Sequence, residues 1–566
     1  MELANILGAY RPVPARGCFY EEGLGFPSLI GVYKSVAAES MLNTISIQPS
    51  GVKSPVRIAP KPWIHLTAAV ALGMAAIFGY DSYSGSVGIV GPQVAIVGNG
   101  PNKIIRVPPG GNLQAAIDRA EGGDIVELQA GAVYSGTIDL PNKPLTDFVT
   151  IRSSGVGNLP ADKRVDPAQR SSMAAIVSGA LGHPAVSASN GANHYRFVGI
   201  EFTASSATYN YGLVTLGSGE SRADKLPHDI EIDRSYFHPY KGGVARRGLA
   251  LNSANTTVRN SYFEGFGYAN EEAQGICGWT GTRDVHIVNN YIEGGAENVM
   301  FGGADPDSAE LVPTNIEVRG NHLNKPAEWN GRVAVKTLFE LKDAKHAQFT
   351  GNLLTNNWQG SAFRITVRNQ DNHAPFSTIE DVVIRDNIID GAGDGINILG
   401  RDDTYPSQTL KRLTIENNLF LNLTSGNGFE GSGYFIQISG GEDVTIAHNT
   451  SFNSGNIVTF YGETPRRFVF RDNITGHGNY GIHGLSDMVS ATARSMFRNN
   501  LFMNLNRVPP DDYAFPTGNS IVSGIAEIGF SDLSKRDYRL GPNSNFKRKA
   551  HDGTDPGADI SSVPQR

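Results

Sequence analysis

The chain has 566 residues, 66 of them glycine and 40% of them apolar, which is enough apolar side chain for a long core and too much for disorder throughout. Its 48 Lys and Arg against 55 Asp and Glu leave a net charge of -7 with no basic block to follow a phosphate backbone, so no nucleic-acid partner is expected. Cys18 and Cys277, with an apolar segment between them, build neither a disulfide framework nor a CxxC metal knuckle.

Residues 1–62 read as a basic, Pro-containing leader, and Met41 is a candidate true start, because residues 41–80 alone make a basic leader followed by an apolar core. Residues 63–80 (WIHLTAAVALGMAAIFGY) contain no Asp, Glu, Lys or Arg and follow Lys53, Arg57 and Lys61. This pattern predicts a signal peptide or a membrane anchor, since a stretch of that length just crosses a hydrocarbon core of about 30 Å. A secreted or cell-envelope protein follows, in contact with membrane only through 63–80, with 81–102 as a linker.

Asn112 before Leu113, Ile117 and Ala120 predicts an N-capped helix with one apolar face, stopped by Gly122-Gly123 ahead of a strand at 125–128. From residue 195 onward one pattern recurs: alternating apolar residues, a polar pair ending in Asn or Ser, then another apolar pair. Its markers are Ser235, Ser261, Asn290, Asn321, Asn352, Asn387, Asn418, Asn449, Asn473 and Asn500, spaced by 24 to 35 residues. Each unit shows short period-2 strands punctuated by Gly, Asn and Asp, with no helical periodicity. A propeller blade needs four strands and about 40 residues, whereas three short strands with three corners fit this period. The expected fold is therefore all-β, a single-stranded right-handed parallel β-helix over 103–506 with an N-terminal helical cap, closed irregularly by 507–566 and monomeric. Asn suits the marker because it tolerates left-handed backbone and its amide can bond to the next rung's Asn.

The segment VPPGGNLQAAIDRAEGGDIVELQAG (107–131), followed by an Asn-marked ladder, resembles the opening of pectate-lyase-like right-handed β-helix proteins. That resemblance implies the fold over about 103–560. Its members include polysaccharide lyases, glycosidases, epimerases and non-catalytic adhesins, so the fold does not choose among them.

The strands preceding the markers alternate so that Leu249, Leu251, Val299, Phe301, Phe339, Leu341, Ile365, Val367, Ile396, Ile398, Ile436 and Ile438 point inward. The outward column then holds Asn298, Glu340, Lys342, Arg364, Arg368, Asn397, Arg401 and Gln437, with rungs about 4.8 Å apart. Trp279, Trp329 and Trp358 fall close by, and flat aromatic faces suit stacking on sugar rings. Two departures from the regular rung, 304–313 with 324–336 and 369–378, are expected to wall a groove around 275–405.

Within this region LFELKDAKHAQFTGNLLTNNWQGSAFR (338–364) resembles the segment of the alginate lyase and chondroitinase B family that carries a lysine base and, one rung later, an arginine. The resemblance implies Lys342 as base and Arg364 as the acid or the group assisting the leaving oxygen. Glu297, Glu340, Arg368, Asn397 and Arg401 would position the substrate, and Trp329 or Trp358 would stack on it. β-Elimination from a uronate needs exactly such residue types: a base for the proton beside the carboxylate, cations for the developing charge, and assistance at the leaving oxygen. The expected partner is an acidic polysaccharide. Arg368, Arg401 or a bound Ca²⁺ would meet its carboxylate, with no metal ligands assigned.

The alternatives are a glycoside hydrolase or epimerase, or a non-catalytic polysaccharide-binding β-helix. Glu271, Glu272 and Glu297 could supply a hydrolase's carboxylates. Asp305, Asp307 and Glu310 read as a turn rather than a Ca²⁺ loop, Gly476-His477-Gly478 as a glycine-rich corner, and Cys277 as a small rung residue.

Overall fold

The computed structural model describes residues 94–97, 100, 102–179, 182–207, 209–478, 480–485, 495–503 and 516–559. The leader 1–62, the apolar segment 63–80 and most of the linker lie outside these residues. Among the described residues no helix is long and apolar enough to cross a membrane.

Among the described residues the strands form one sheet of 15, one of 24 and two of two strands, and the rung-to-rung pairings are parallel. Each rung contributes three strands, as in Thr314–Arg319, His322–Asn324 and Thr337–Leu341. These are called here the first, second and third strand of the rung. Such stacking is a parallel β-helix. In two rungs the second and third strands run together as Leu353–Thr366 and Ile388–Leu399, whose pairing shifts between Asn357 and Ser361. All twelve residues expected to point inward are at most 1% exposed, and they pack into one core with Phe237, Phe263, Phe349 and Phe420.

The corner between first and second strands carries the amide ladder. Asn290, Asn321, Asn352, Asn387, Asn418, Asn449 and Asn473 each donate Nδ2 to Oδ1 of the next marker at 2.8–3.1 Å, and Asn500 donates likewise to Asn519 at 2.8 Å. The strand Ser520–Val522 pairs with Leu501–Met503, so the stack continues past 506. The left-handed backbone sits one residue earlier than expected. Asn260, Asn289, Asp386, Asn417, His448 and Asp472 have φ of 53° to 58°, and Gly320 and Gly351 take the same place at 66° and 63°. The turn residue bends the chain and the marker behind it is freed to bond inside the stack.

The predicted helix is present at Leu113–Arg119, with Asn112 accepting the Ala115 N–H at 2.9 Å and Leu113, Ala116 and Ile117 buried against the first rungs. At the other end Val522, Ile528 and Leu540 pack on Ile474, Leu501 and Met503, and the tail runs back along the ladder corner, where Ala558 donates to Thr450 Oγ1 at 2.9 Å.

Candidate functional site

Register places Ala250, Cys277, Met300, Glu340, Arg364, Asn397 and Gln437 in one outward column along the third strands. Asn298 is not in it. The corner it occupies offers bare carbonyls, so its amide turns inward to donate to Ile292 O and Asn324 O, both at 2.8 Å, and Glu297 takes the outward position instead.

Lys336, just ahead of the strand Thr337–Leu341, organises this face. Its Nζ lies 3.0 Å from Glu297 Oε1, 3.0 Å from Glu340 Oε2 and 3.4 Å from Glu272 Oε1. Burial opposes the charge on Lys336, but the three carboxylates outweigh it and raise its pKa. Burial likewise opposes ionisation of Glu340, yet Lys342, Lys336 and Arg364 together hold its carboxyl well below the usual range. Glu297 moves the other way. Burial first, and the neighbouring Glu340, raise its pKa against the help of Lys336. One buried carboxylate is thus surrounded by three cations, two of which, Lys342 and Arg364, are half-buried and reach the surface. The chain turns beside Lys342 through Gly302 and Gly303, at φ 84° and 101°, where a Cβ on Gly302 would fall 2.7 Å from Asp343 N.

On the far side of Arg364, Asn397 donates to Gln437 Oε1 at 2.7 Å, and the Tyr434 hydroxyl lies 2.8 Å from Ser361 Oγ and hydrogen-bonds Asn397. Burial raises the Tyr434 pKa, so the phenol keeps its proton. The two insertions form one wall: Asp305 accepts the N–H groups of Gln370, Asp371 and His373 at 2.5, 2.9 and 2.8 Å, and Asp343 accepts Thr378 N–H at 3.0 Å and Ser377 Oγ–H at 3.1 Å.

The structure brings together Lys342, Arg364, Asn397, Glu340 and Glu297, and separates the rest. Glu340 and Glu297 are 1% and 0% exposed, so they hold Lys336 and cannot touch a substrate. Trp358, at 6% exposure, is part of the packed interior and offers no stacking face. Trp329 lines a different groove. Arg368 is engaged by Asp403 at 2.6 Å, and exposed Arg401 donates to Thr409 Oγ1 at 2.5 Å beside a small cleft with Glu463 and Arg466. Trp279 lies under the Arg247 guanidinium, 4.8 Å from the ring centre. Glu271 accepts the Tyr209 hydroxyl and pairs with Arg246. His477 is 1% exposed in its corner, and Cys277 is buried in the outward column.

Lys336 was legible only as a period-2 companion of Glu340 on the same strand side. Lys325 carried no signal at all: it is fully buried, its Nζ 2.7 Å from Gly294 O, 2.6 Å from Gly295 O and 3.0 Å from Asn298 Oδ1. Burial pushes its amine down to about 7, while these oxygens favour the ammonium.

The residues do not fit a Ca²⁺ site, which takes six to eight oxygens. Asp305 spends both oxygens on backbone N–H groups, and Glu297 and Glu340 already hold Lys336. His448, Asp472 and His551 bring ligand atoms within 4.8 Å of one another on the tail side, but Arg471 Nη1 lies 2.7 Å from both Asp472 Oδ2 and His551 Nδ1 and fills the place of a cation.

No family model matches the chain, and no curated protein matches it. Solved structures do. The Dettilon tailspike protein aligns at 12% identity and TM-score 0.35, covering 59% of this chain and 62% of its own; the PL6 family alginate lyase AlyGC aligns at 14% and 0.44, covering 81% and 58%. The catalytic domain of a GH87 alpha-1,3-glucanase in complex with nigerose aligns at 13% and 0.42, covering 76% and 69%. The likeness is one of fold alone, a parallel β-helix. The chain spans about 60% of the length of the first two, and what it shares with all of them is the solenoid.

Proposed function

We propose that this chain is an exported carbohydrate-active enzyme that cleaves an acidic, uronate-containing polysaccharide by β-elimination on the third-strand face. The observation that carries this reading is the charge arrangement around Glu340. Lys336 is spent on the buried Glu297 and Glu340, while Lys342 and Arg364, both beside Glu340, emerge half-buried, so the face is cationic there. A polyuronate brings the complementary charge.

In this reading Arg364 pairs with the sugar carboxylate and stabilises the charge that develops there as the adjacent proton leaves. The Lys342 amine takes that proton, the C–H electron pair forms the ring double bond, and the glycosidic C–O bond breaks with its electrons going to the leaving oxygen. Arg364 assists that oxygen, and the proton taken up by Lys342 is returned to it, so that it leaves as a new chain end. Asn397, held by Gln437 and Tyr434, orients the ring. The right-handed winding, the capping role of the helix Leu113–Arg119 and export through 63–80 belong to the same proposal. The hydrolase reading finds less support: Glu297 is fully buried and in contact with Glu340, which leaves no room for a glycosidic oxygen between two open carboxylates.

The test is to incubate the full chain with alginate, pectate and glycosaminoglycans, with and without chelator. Ultraviolet-absorbing unsaturated ends support the reading. Reducing ends without that absorbance would replace it by hydrolysis, and neither product would replace it by binding alone.

A further inference from the structure

A second groove, of about 920 Å³, runs along the second strands from Val133 to Trp329, on a different outward column. Its volume is that of a pocket for a small organic ligand, about 300–1,000 Å³. Register stacks Glu201, Tyr236, Tyr262, Tyr291 and His322 in one column, of which Glu201 and Tyr236 line the groove. Tyr240, 42% exposed, and Trp329 stand on its rim. The indole packs on Gly267, where an added Cβ would fall 3.1 Å from three ring carbons and press the ring aside by a few tenths of an ångström.

The charge on the walls is uneven. Glu201 is neutralised by Arg170 at 2.7 Å and His238 at 2.9 Å. Glu264 and Glu293, one rung apart, are instead held by neutral donors, Glu264 by the Tyr236 hydroxyl and Glu293 by Gly265 N–H and the Tyr291 hydroxyl, each at 2.8 Å from Glu293. Neither they nor Glu328 form an ion pair among the described residues, and Glu293 is only 8% exposed. Beyond Arg170 and His238, Lys241 is the one further basic residue on these walls. Carboxyls facing a cavity without counter-charge favour a ligand that brings cations, which would draw the proton from the buried Glu293, and aromatic faces add to the attraction for ammonium groups.

We infer that this groove binds an oligosaccharide carrying free amino groups, a glucosamine-type chain, with Trp329 and Tyr240 against the ring faces and Glu264 and Glu293 pairing with the ammonium groups. The site is separate from the β-elimination face and independent of that reading, since a uronate would meet like charge here.

Calorimetric titration of the full chain with glucosamine tetramer tests it, alongside N-acetylglucosamine tetramer, mannuronate tetramer and tetralysine. The expected result is binding of the glucosamine tetramer, at least about tenfold weaker for the acetylated one and weakened about tenfold or more by Trp329→Ala and by Tyr240→Ala, while Lys342→Ala leaves it within about twofold. Tyr240 is exposed, so its variant keeps the fold, and thermal melts of both variants check this. The inference is overturned if the glucosamine tetramer gives no binding, if tetralysine binds as tightly, if mannuronate tetramer displaces it, or if neither aromatic variant weakens it.

Discussion

The second-strand and third-strand faces share one scaffold and one rung spacing but partner Glu264 and Glu293 differently from Glu297 and Glu340. On the third-strand face Lys336 inserts between Glu297 and Glu340, and Lys342 and Arg364 reach the surface beside them. On the second-strand face Glu264 and Glu293 receive hydroxyls and a backbone N–H, and the acids stay without counter-charge. Alternation along a strand decides only that a side chain points outward. What sits between the rungs decides the sign of the surface.

The largest expected effect breaks the cationic face. Lys342→Ala should lower turnover of a uronate polymer by about 10² to 10⁴, read as the rate of unsaturated-product absorbance, because a general base contributes on that scale. Its melting temperature should stay near that of the parent, since the core beneath is built from Phe339, Leu341 and Ile365.

Lys336→Met tests whether the lysine is what makes Glu340 tolerable. Leaving a buried carboxylate without its partner costs about 3–5 kcal/mol, measured by urea unfolding. The double variant Lys336→Met with Glu340→Gln should recover most of that loss, and a double variant no better than the single one would mean that the cluster is not coupled.

Asn387→Ala probes the ladder that both faces hang on. Asn387 donates to Asn418 Oδ1 at 2.8 Å and to Phe349 O at 3.0 Å, and accepts Asn352 N–H at 2.8 Å. Each buried group orphaned by its loss costs about 1–3 kcal/mol, again by urea unfolding.

The last test is pH dependence, and here the faces should agree. Burial pushes Asp343, beside Lys342, up to about 7, and Glu293 on the other face also up to about 7. Each folded carboxyl retains a proton that the unfolded chain releases at its ordinary, lower pKa. Stability is therefore greatest below that ordinary value, falls as pH rises toward 7, and is level above it. Asp343→Asn or Glu293→Gln should each flatten this fall by roughly 1 kcal/mol per pH unit across the interval. An unchanged profile in either variant would show that its carboxyl titrates normally.

The fold was readable because its causes are local and repeated. Asn290 to Asn500 mark a corner every rung, and Phe339, Leu341, Ile365 and Val367 alternate as any half-buried strand must. The same repetition hid which marker-corner residue bends the chain, since Asn289 and Asn290 look alike in sequence and only the left-handed φ of the former distinguishes them. Lys342, Arg364 and Asn397 could be laid side by side from alternation alone. Trp358 could not be told from a surface aromatic, because both a buried and a stacking tryptophan satisfy the same local pattern.

By itself, then, the sequence determined the repeat, the inward set and the outward column, because these follow from period-2 geometry and from what Asn can bond. Only the tertiary structure decided that Lys336 sits between Glu297 and Glu340, that Trp329 belongs to the second-strand groove, and that Asp305 ties one insertion to the other. Those contacts join residues on different rungs through irregular corners, where no period carries the register and side-chain reach, not chain order, sets the partner.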